Sequence, residues 1–149
     1  MLDAKVITCS VPVPARDLYE LIWRPDFFPR WASGLAGSSL ERDGDGWKAR
    51  GPDGPVRITF TDRNSFGVLD HAVDLGDGRI VHVPLRIVPN GDGSEVMLTL
   101  FRQPGMSDAK FAEDEAWVRR DLAALKAIAE RAPDDSRTVP DATGDNRGP

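Results

Sequence analysis

The side chain best suited to proton transfer in this sequence is that of His71, since an imidazole titrates near neutral pH. His71 lies between Leu69 and Val73 in an alternating segment, so the three side chains are expected on one face of a strand, directed inward. Two interpretations stay open: the ring is an acid/base group in a pocket, or it is a core histidine hydrogen-bonded to a backbone carbonyl or a carboxylate. On the first interpretation His71 is the candidate catalytic residue.

Asp114 and Asp121 are further candidates, because they lie seven residues apart on one stripe of a predicted helix. The stripe runs between an apolar group that includes Val118 and another that includes Trp117. A carboxylate in such a sector is costly unless it is paired. One of the two could point into a pocket opposite His71; alternatively, both reach Arg side chains or backbone donors at the edge of the sheet.

Arg102 is the candidate for binding an anionic group of a ligand. It continues the face of Leu98 and Leu100 along the last predicted strand. From that position the guanidinium could reach the mouth of a pocket, or it could pair with Asp114.

Metal ions and disulfides are not expected. The sequence contains one Cys, Cys9, which excludes an internal disulfide and a Cys-based zinc site. His82 is predicted on the face opposite His71, exposed to solvent, and no third His completes a ligand set. The Asp-Gly run at residues 43–46 lacks the spacing of a calcium loop and is typical of hairpin turns.

The acidic composition argues against nucleic acid as a partner. The 149 residues carry a formal net charge of −5, whereas nucleic-acid binders need a basic patch to neutralise phosphates. The sequence has no phosphate-binding glycine loop, no signal-peptide pattern at its N-terminus and no apolar run of about 18 residues that could span a membrane. We therefore expect a cytoplasmic protein with no membrane insertion and no cofactor.

The hydrophobic patterns predict a strand, two short helices, a long meander and a C-terminal helix. Residues 5–13 are predicted as the first strand, 15–23 as the first helix and 26–31 as a second short helix or turn. Asp-Gly turns then separate about six alternating strands. Ser107 is the predicted N-cap of a helix of about 24 residues that ends at Pro133. Residues 133–149 are predicted to be disordered.

This order of elements predicts an internal cavity. A one-sided sheet and a single amphipathic helix must bury their apolar faces against each other. The simplest arrangement curls the sheet around the C-terminal helix. Because a strongly curved sheet cannot close down on one helix everywhere, we expect a space between them.

The segments VPVPARDLYELIWRPDFFPRWASGL (residues 11–35) and VRRDLAALKAIAE (118–130) resemble the opening and closing elements of the START-like superfamily, also called SRPBCC. That superfamily includes polyketide cyclase/dehydrases and lipid-transfer domains. The resemblance covers roughly residues 4–131. It implies a single START-like domain, residues 1–132, of the α+β class. The implied fold is the helix-grip fold, in which an antiparallel sheet of about seven strands curls around a long C-terminal helix. Two short helices lie between strands 1 and 2. It implies an apolar pocket, but no particular ligand and no shared catalytic residues.

The resemblance also implies roles for the aromatic side chains between residues 19 and 34. Trp31 matches the structural Trp of the family and is expected in the core. Trp23, Phe27 and Phe28 lie at the junction of the two short helices, which borders the pocket entrance in this fold. These three residues contact a ligand or belong to the core beneath the pocket.

Three functions fit these predictions. The first is binding of a small hydrophobic or aromatic molecule between the sheet and the C-terminal helix. The second is a polyketide cyclase/dehydratase-type enzyme that uses a pocket His or carboxylate. The third is protein interaction of a chaperone-accessory or toxin-like kind. The ligand, any catalysis and the oligomeric state stay open. The residues expected to line the pocket are Trp23, Phe27, Phe28, Phe60, Leu69, His71, Val73, Val83, Leu85, Leu98, Arg102, Asp114, Val118 and Asp121.

Overall fold

The computed structural model describes residues 1–132 and has an α+β architecture with one long C-terminal helix. The predicted disordered tail, residues 133–149, lies outside the described residues. In chain order the elements are β1 (Ala4–Val11), α1 (Ala15–Ile22), two 3-10 helices (Pro25–Arg30 and Ser33–Leu35), β2 (Glu41–Asp43), β3 (Gly46–Gly51), β4 (Gly54–Phe60), β5 (His71–Asp74), β6 (Ile80–Val83), β7 (Leu85–Asn90), β8 (Gly93–Phe101) and α2 (Asp108–Arg131).

The strands form two antiparallel sheets, of three strands in the order β1-β8-β7 and of five in the order β2-β3-β4-β5-β6. The prediction of one sheet with about seven strands is wrong in this respect. The prediction failed at residues 81–87. The pattern of these residues alternates as in one strand, but the structure divides them into two strands at Pro84. Proline has no backbone N–H to donate, and the chain changes partner there, since β6 pairs with β5 whereas β7 pairs with β8.

Asp70 joins the two sheets at this division. Its carboxylate accepts hydrogen bonds from Leu85 N at 3.0 Å and from Arg86 Nε and Nη2 at 2.8 and 2.7 Å. Leu69 N donates to Leu85 O at 2.8 Å, so the chain before β5 pairs with the start of β7. The hydrogen bonds from Arg86 are the main reason that the pKa of Asp70 lies below its ordinary value.

The main core lies between the three-stranded sheet and the two α-helices. Helix α1 packs against β7 and β8, and α2 packs against β1. Each fully buried aliphatic side chain stabilises such a core by about 1.5–3 kcal/mol. A smaller cluster of Leu35, Ala49 and Ile58 lies against the five-stranded sheet. The buried residues of the main core are Ile7, Val11, Leu18, Tyr19, Ile22, Phe27, Trp31, Ala32, Leu85, Ile87, Val96, Leu98, Leu122, Leu125 and Ala129.

Helix α2 begins at the predicted N-cap. Ser107 Oγ accepts a hydrogen bond from Lys110 N at 3.1 Å, which satisfies one of the free N–H groups of the first turn. Arg102 fixes the preceding turn by donating to Met106 O at 2.8 Å and to Asp108 Oδ1 at 2.6 Å. No helix within residues 1–132 combines the length and hydropathy needed to cross a bilayer.

The connection between β4 and β5 is organised by the side chain of Asn64. Its Oδ1 accepts hydrogen bonds from Phe66 N at 3.0 Å and Val68 N at 3.1 Å, and its Nδ2 donates to Val68 O at 2.9 Å. Asn64 N donates to the Tyr19 hydroxyl at 2.9 Å, which ties the loop to α1. The loop is therefore a well-bonded structure that leads into Asp70 and His71.

Replacing Gly67 by Ala should separate this loop from β7. Gly67 has a φ of +70°, and a β-carbon there would fall far inside van der Waals contact with Ile87 O. We expect Gly67→Ala to lower the free energy of unfolding by about 3 kcal/mol or more, from backbone strain and overpacking together. Gly91→Ala is the matched control, because Gly91 has a φ of +59° with no atom near its β-carbon position. It should lose only about 1 kcal/mol. Equal losses in urea unfolding would contradict the close packing of Gly67 on β7.

Candidate functional site

An aromatic cluster surrounds His71 where β4 and β5 meet. The Phe28 ring contacts Trp31, Phe60 and His71 edge to face, with centroid distances of 4.9, 5.3 and 4.9 Å. Phe60 and His71 are paired across the two strands, and their rings lie 5.7 Å apart. Aromatic pairs of this kind add about 0.5–1.5 kcal/mol each beyond the burial of their area. Phe28 is therefore the centre of the cluster.

The cluster borders a small interior space, which we call the aromatic pocket. Its volume is about 10 Å³, close to the minimum that one water molecule needs. A ligand can enter only if a wall residue moves. The residues that line the aromatic pocket are Ile22, Trp23, Arg24, Phe28, Trp31, Phe60, Thr61, Leu69, His71 and Leu85.

His71 is buried in the neutral form and its tautomer is fixed. The side chain is 7% exposed, and Nδ1 lies 3.1 Å from Leu69 O. A carbonyl oxygen can only accept, so Nδ1 carries the proton and Nε2 presents a lone pair. Burial lowers the pKa of His71 below 6.5, against smaller opposing effects of the Leu69 carbonyl and of Asp70. Nε2 makes no hydrogen bond within residues 1–132.

Trp31 lines the aromatic pocket and carries an unpaired polar group. The residue is 4% exposed, and its Nε1 is buried without a hydrogen-bond acceptor among the residues that the structure describes. By contrast, Nε1 of Trp117 donates to Ser33 Oγ at 2.5 Å. Buried indole N–H groups usually have a partner, so the unpaired donor of Trp31 is a property of this pocket that packing alone does not explain.

Phe28 belongs to a wall segment whose helical hydrogen bonds are weaker than those of α1. It is half-buried and lies in the 3-10 helix Pro25–Arg30. Hydrogen bonds in a 3-10 helix have poorer geometry than those of an α-helix, and Pro25 and Pro29 cannot donate at all. Displacing this turn should therefore cost less than displacing a turn of α1.

Ser33 ties the far end of the same segment to α2. Ser33 N and Oγ donate to Asp121 Oδ1 at 3.2 and 2.6 Å. Burial raises the pKa of Asp121 above its ordinary value, although the two hydrogen bonds from Ser33 favour the carboxylate. Asp121 thus has as partners a backbone N–H and a hydroxyl of the 3-10 helix Ser33–Leu35, and not an Arg side chain or a donor at the edge of the sheet.

The structure brings part of the predicted ligand-binding set together. Arg24 and Trp31 also line the aromatic pocket, although the sequence patterns did not place them there. A usable signal existed for both, because Arg24 directly follows Trp23 and Trp31 lies three residues after Phe28, on the same side of a 3-10 turn. Contact of the set with a ligand stays a prediction. The predicted residues that line the pocket are Trp23, Phe28, Phe60, Leu69, His71 and Leu85.

Four apolar members of the predicted set lie elsewhere. Phe27 is buried in the main core, with the Arg30 guanidinium 4.6 Å from its ring centroid, so the adjacent Phe27 and Phe28 have separate environments. Leu98 is also in the main core, and Val73 packs against the smaller cluster. Val83 lines an open cleft of about 290 Å³ that shares Phe60, Thr61 and His71 with the aromatic pocket.

The four members on or near α2 do not line the aromatic pocket. Asp114 pairs with Lys110 at 2.7 Å, Val118 packs against the main core, Asp121 bonds Ser33, and Arg102 bonds the turn before α2. The aromatic pocket lies against α1 and the first 3-10 helix. It does not lie between the sheet and the C-terminal helix, where the order of elements predicted a cavity. The reason is that α2 fills its side of the sheet with its own apolar side chains.

A groove of about 670 Å³ lies on the surface between α1, the loop at Asn64 and β7. Phe66, which is 81% exposed, lies on its rim. One exposed ring is smaller than the apolar patch of several hundred Å² that marks a protein interface. Within residues 1–132, no group of three His, Cys, Asp or Glu side chains is placed to hold a metal ion, and His82 is exposed on the face opposite His71.

Comparison with known proteins finds similarity in solved structures alone. No protein-family model matches the sequence, and no curated protein matches it. An uncharacterised protein from Bacillus thuringiensis superimposes with a TM-score of 0.68 at 14% identity, over 86% of this chain and 99% of its own. Ara h 8.0201 has a TM-score of 0.66 at 14% identity, over 89% of this chain and 100% of its own.

DynU16, a protein of the dynemicin biosynthetic locus, has a TM-score of 0.66 at 18% identity over 87% of this chain. The present chain spans about half of DynU16, 48% of its length. Identities this low show the fold alone. With the antiparallel sheets and the terminal helix α2, they fit the predicted helix-grip fold.

Burial of neutral His71 should make stability depend on pH. As pH falls below 6.5, the unfolded chain takes up a proton at His71 that the folded protein, with its lowered pKa, does not. The free energy of unfolding should therefore decrease with falling pH, by at most about 1.4 kcal/mol per pH unit, until the folded pKa is reached. His71→Gln should remove this part of the slope. The measurement is urea unfolding at several values between about pH 7.5 and pH 5.

His82→Gln is the control, because it removes an imidazole from an exposed position of the neighbouring strand. This variant should keep the slope of the parent protein. If His71→Gln kept the slope of the parent protein, the pKa of His71 would be the same in the folded and unfolded states. That result would contradict the buried position of His71.

Proposed function

We propose that this protein binds a small, largely apolar aromatic molecule in the aromatic pocket, and that the ligand ring takes the place of the Phe28 ring. The observation that carries the proposal is the buried cluster of Phe28, Trp31 and Phe60 around a neutral His71. Binding pockets are typically apolar, with a few convergent polar groups. His71 and Trp31 both line the pocket, and neither Nε2 of His71 nor Nε1 of Trp31 has a partner within residues 1–132.

Displacement of Phe28 supplies the volume that binding requires. The closed pocket of about 10 Å³ is far too small for an aromatic ring. Phe28 is half-buried on a 3-10 turn, and it makes its edge-to-face contacts with the same three rings that a ligand would meet. An aromatic ligand would restore those contacts, so the exchange of one ring for another costs little interaction energy.

The similar structures agree with a small-molecule role. DynU16 is a protein of a biosynthetic locus, and a helix-grip fold with an aromatic interior suits a compound made by such a locus. Folds of one kind serve many functions. The choice of ligand class therefore depends on the pocket itself.

Titration with indane, a small bicyclic hydrocarbon, tests the proposal. We expect amide NMR shifts at the residues of the aromatic pocket, since the hydrocarbon has no polar group that could direct it elsewhere. Leu69→Trp should abolish them, because the larger side chain occupies the pocket at a cost of about 1–3 kcal/mol in stability. Phe66→Ala is the control and should bind as the parent does, because Phe66 lies on the outer groove. Binding that survives in Leu69→Trp, or shifts confined to the groove, would reject the pocket as the site.

A second candidate is proton-transfer catalysis of the cyclase/dehydratase type. It is favoured by the free lone pair of His71 Nε2 and by Arg24, a cation that lines the same pocket. In this reaction Nε2 would take a proton from a carbon next to a carbonyl, and the resulting enolate would regain a proton from the imidazolium. Asp70 does not assist, because its carboxylate is bound to Arg86.

Deuterium exchange at C2 of 1-indanone in D₂O tests the second candidate. The protein should accelerate exchange over buffer, and His71→Gln should return the rate to that of buffer, about 100-fold or more lower if general base catalysis operates. His82→Gln serves as the control and should exchange at the parent rate. Exchange that is equal in the parent and in His71→Gln would exclude His71 as the base.

A further inference from the structure

We infer that the ligand of the aromatic pocket presents an uncharged hydrogen-bond acceptor, such as a ketone oxygen, to Nε1 of Trp31. This inference rests on the proposed function and names the chemical class of its ligand. It starts from the one indole of the pocket whose N–H is buried without an acceptor among residues 1–132. An indole N–H is a donor only, so its partner must be an acceptor.

The folded protein already contains the unfavourable free energy of burying this N–H group without an acceptor. A buried polar group without a partner destabilises a folded protein. A ligand that supplies the missing acceptor recovers part of this free energy, whereas a hydrocarbon of the same shape recovers none. The pocket should therefore discriminate between two ligands that differ only in one oxygen atom.

The position of Trp31 relative to Phe28 makes the contact possible. The two ring centroids are 4.9 Å apart, edge to face. A ligand ring that replaces the Phe28 ring would lie directly against the indole. Because Trp31 lines the pocket and its Nε1 has no acceptor among residues 1–132, a carbonyl attached to that ring is the group that would pair with the indole N–H.

The electrostatics of the inner pocket favour a neutral acceptor over an anion. His71 is neutral near pH 7, since burial lowers its pKa. The remaining lining residues are apolar except Thr61 and Arg24, and both of these are exposed. A carboxylate at Trp31 would lose its hydration without gaining a counter-charge. A ketone oxygen loses much less hydration and still accepts the hydrogen bond.

Paired titrations with 1-indanone and indane test the inference. The two compounds share a bicyclic skeleton and differ by one carbonyl oxygen. We expect the parent protein to bind 1-indanone about fivefold more tightly than indane, the effect of one neutral hydrogen bond. In Trp31→Phe the preference should disappear while indane still binds. Trp47→Phe is the matched control and should keep the preference, because Trp47 lies on β3 outside the pocket, next to Arg42.

The indole N–H signals of the unmodified protein give an independent readout. The signal of Trp31, assigned through its backbone, should move downfield with 1-indanone and stay in place with indane. This measurement decides the question even if Trp31→Phe fails to fold. Equal affinity for the two compounds and an unmoved Trp31 signal would overturn the inference and leave the proposed function intact; this is also the result expected if a resident water holds the N–H. Failure of both compounds to bind would overturn the proposed function and the inference together.

Discussion

The hydrogen bonds of the Asp70 carboxylate are the interaction on which the rest of this structure depends. The chain must pass from the five-stranded to the three-stranded sheet at Pro84, a residue that cannot donate to a ladder. Asp70 bridges the division by accepting from Leu85 N and from both nitrogens of the Arg86 fork. A bidentate, charge-assisted pair has a defined geometry. This contact fixes the start of β7 against the chain before β5, while pairing with β8 holds the rest of β7 in the three-stranded sheet.

The aromatic pocket is a consequence of that junction. His71 directly follows Asp70, and its ring is oriented by the Leu69 carbonyl at the same division. The opposite wall is held by a second polar contact, between Ser33 and Asp121 of α2. Helix α2 therefore shapes the pocket from a distance, through the segment that carries Phe28 and Trp31, and contributes none of its lining. The opening that the proposed function requires would be a local movement of one 3-10 turn, with both sheets keeping their register.

Local patterns predicted those elements whose stability is decided locally. Ser107 was predicted as the N-cap of α2 because the capping hydrogen bond joins residues three apart. The single-sheet prediction failed because alternation over residues 81–87 continues through Pro84. Alternation reports which face a side chain occupies, and it contains no information on which strand lies alongside. The carboxylates of α2 were similarly ambiguous, since their partners are distant: Asp121 bonds Ser33, 88 residues away.

The sequence by itself determined the class of fold, the limits of the two α-helices to within a few residues, the inward orientation of His71 and the acidic character that argues against nucleic acid. These properties follow from periodicity, capping and composition, which act over a few residues. Only the tertiary structure decided that Phe28 faces a pocket while Phe27 lies in the core, that Trp31 keeps an unpaired donor, and that the pocket adjoins α1 and not α2. Each of these depends on which distant segments meet. Adjacent side chains of a 3-10 turn differ in environment because different segments pack against them. The local sequence pattern does not specify which segments these are.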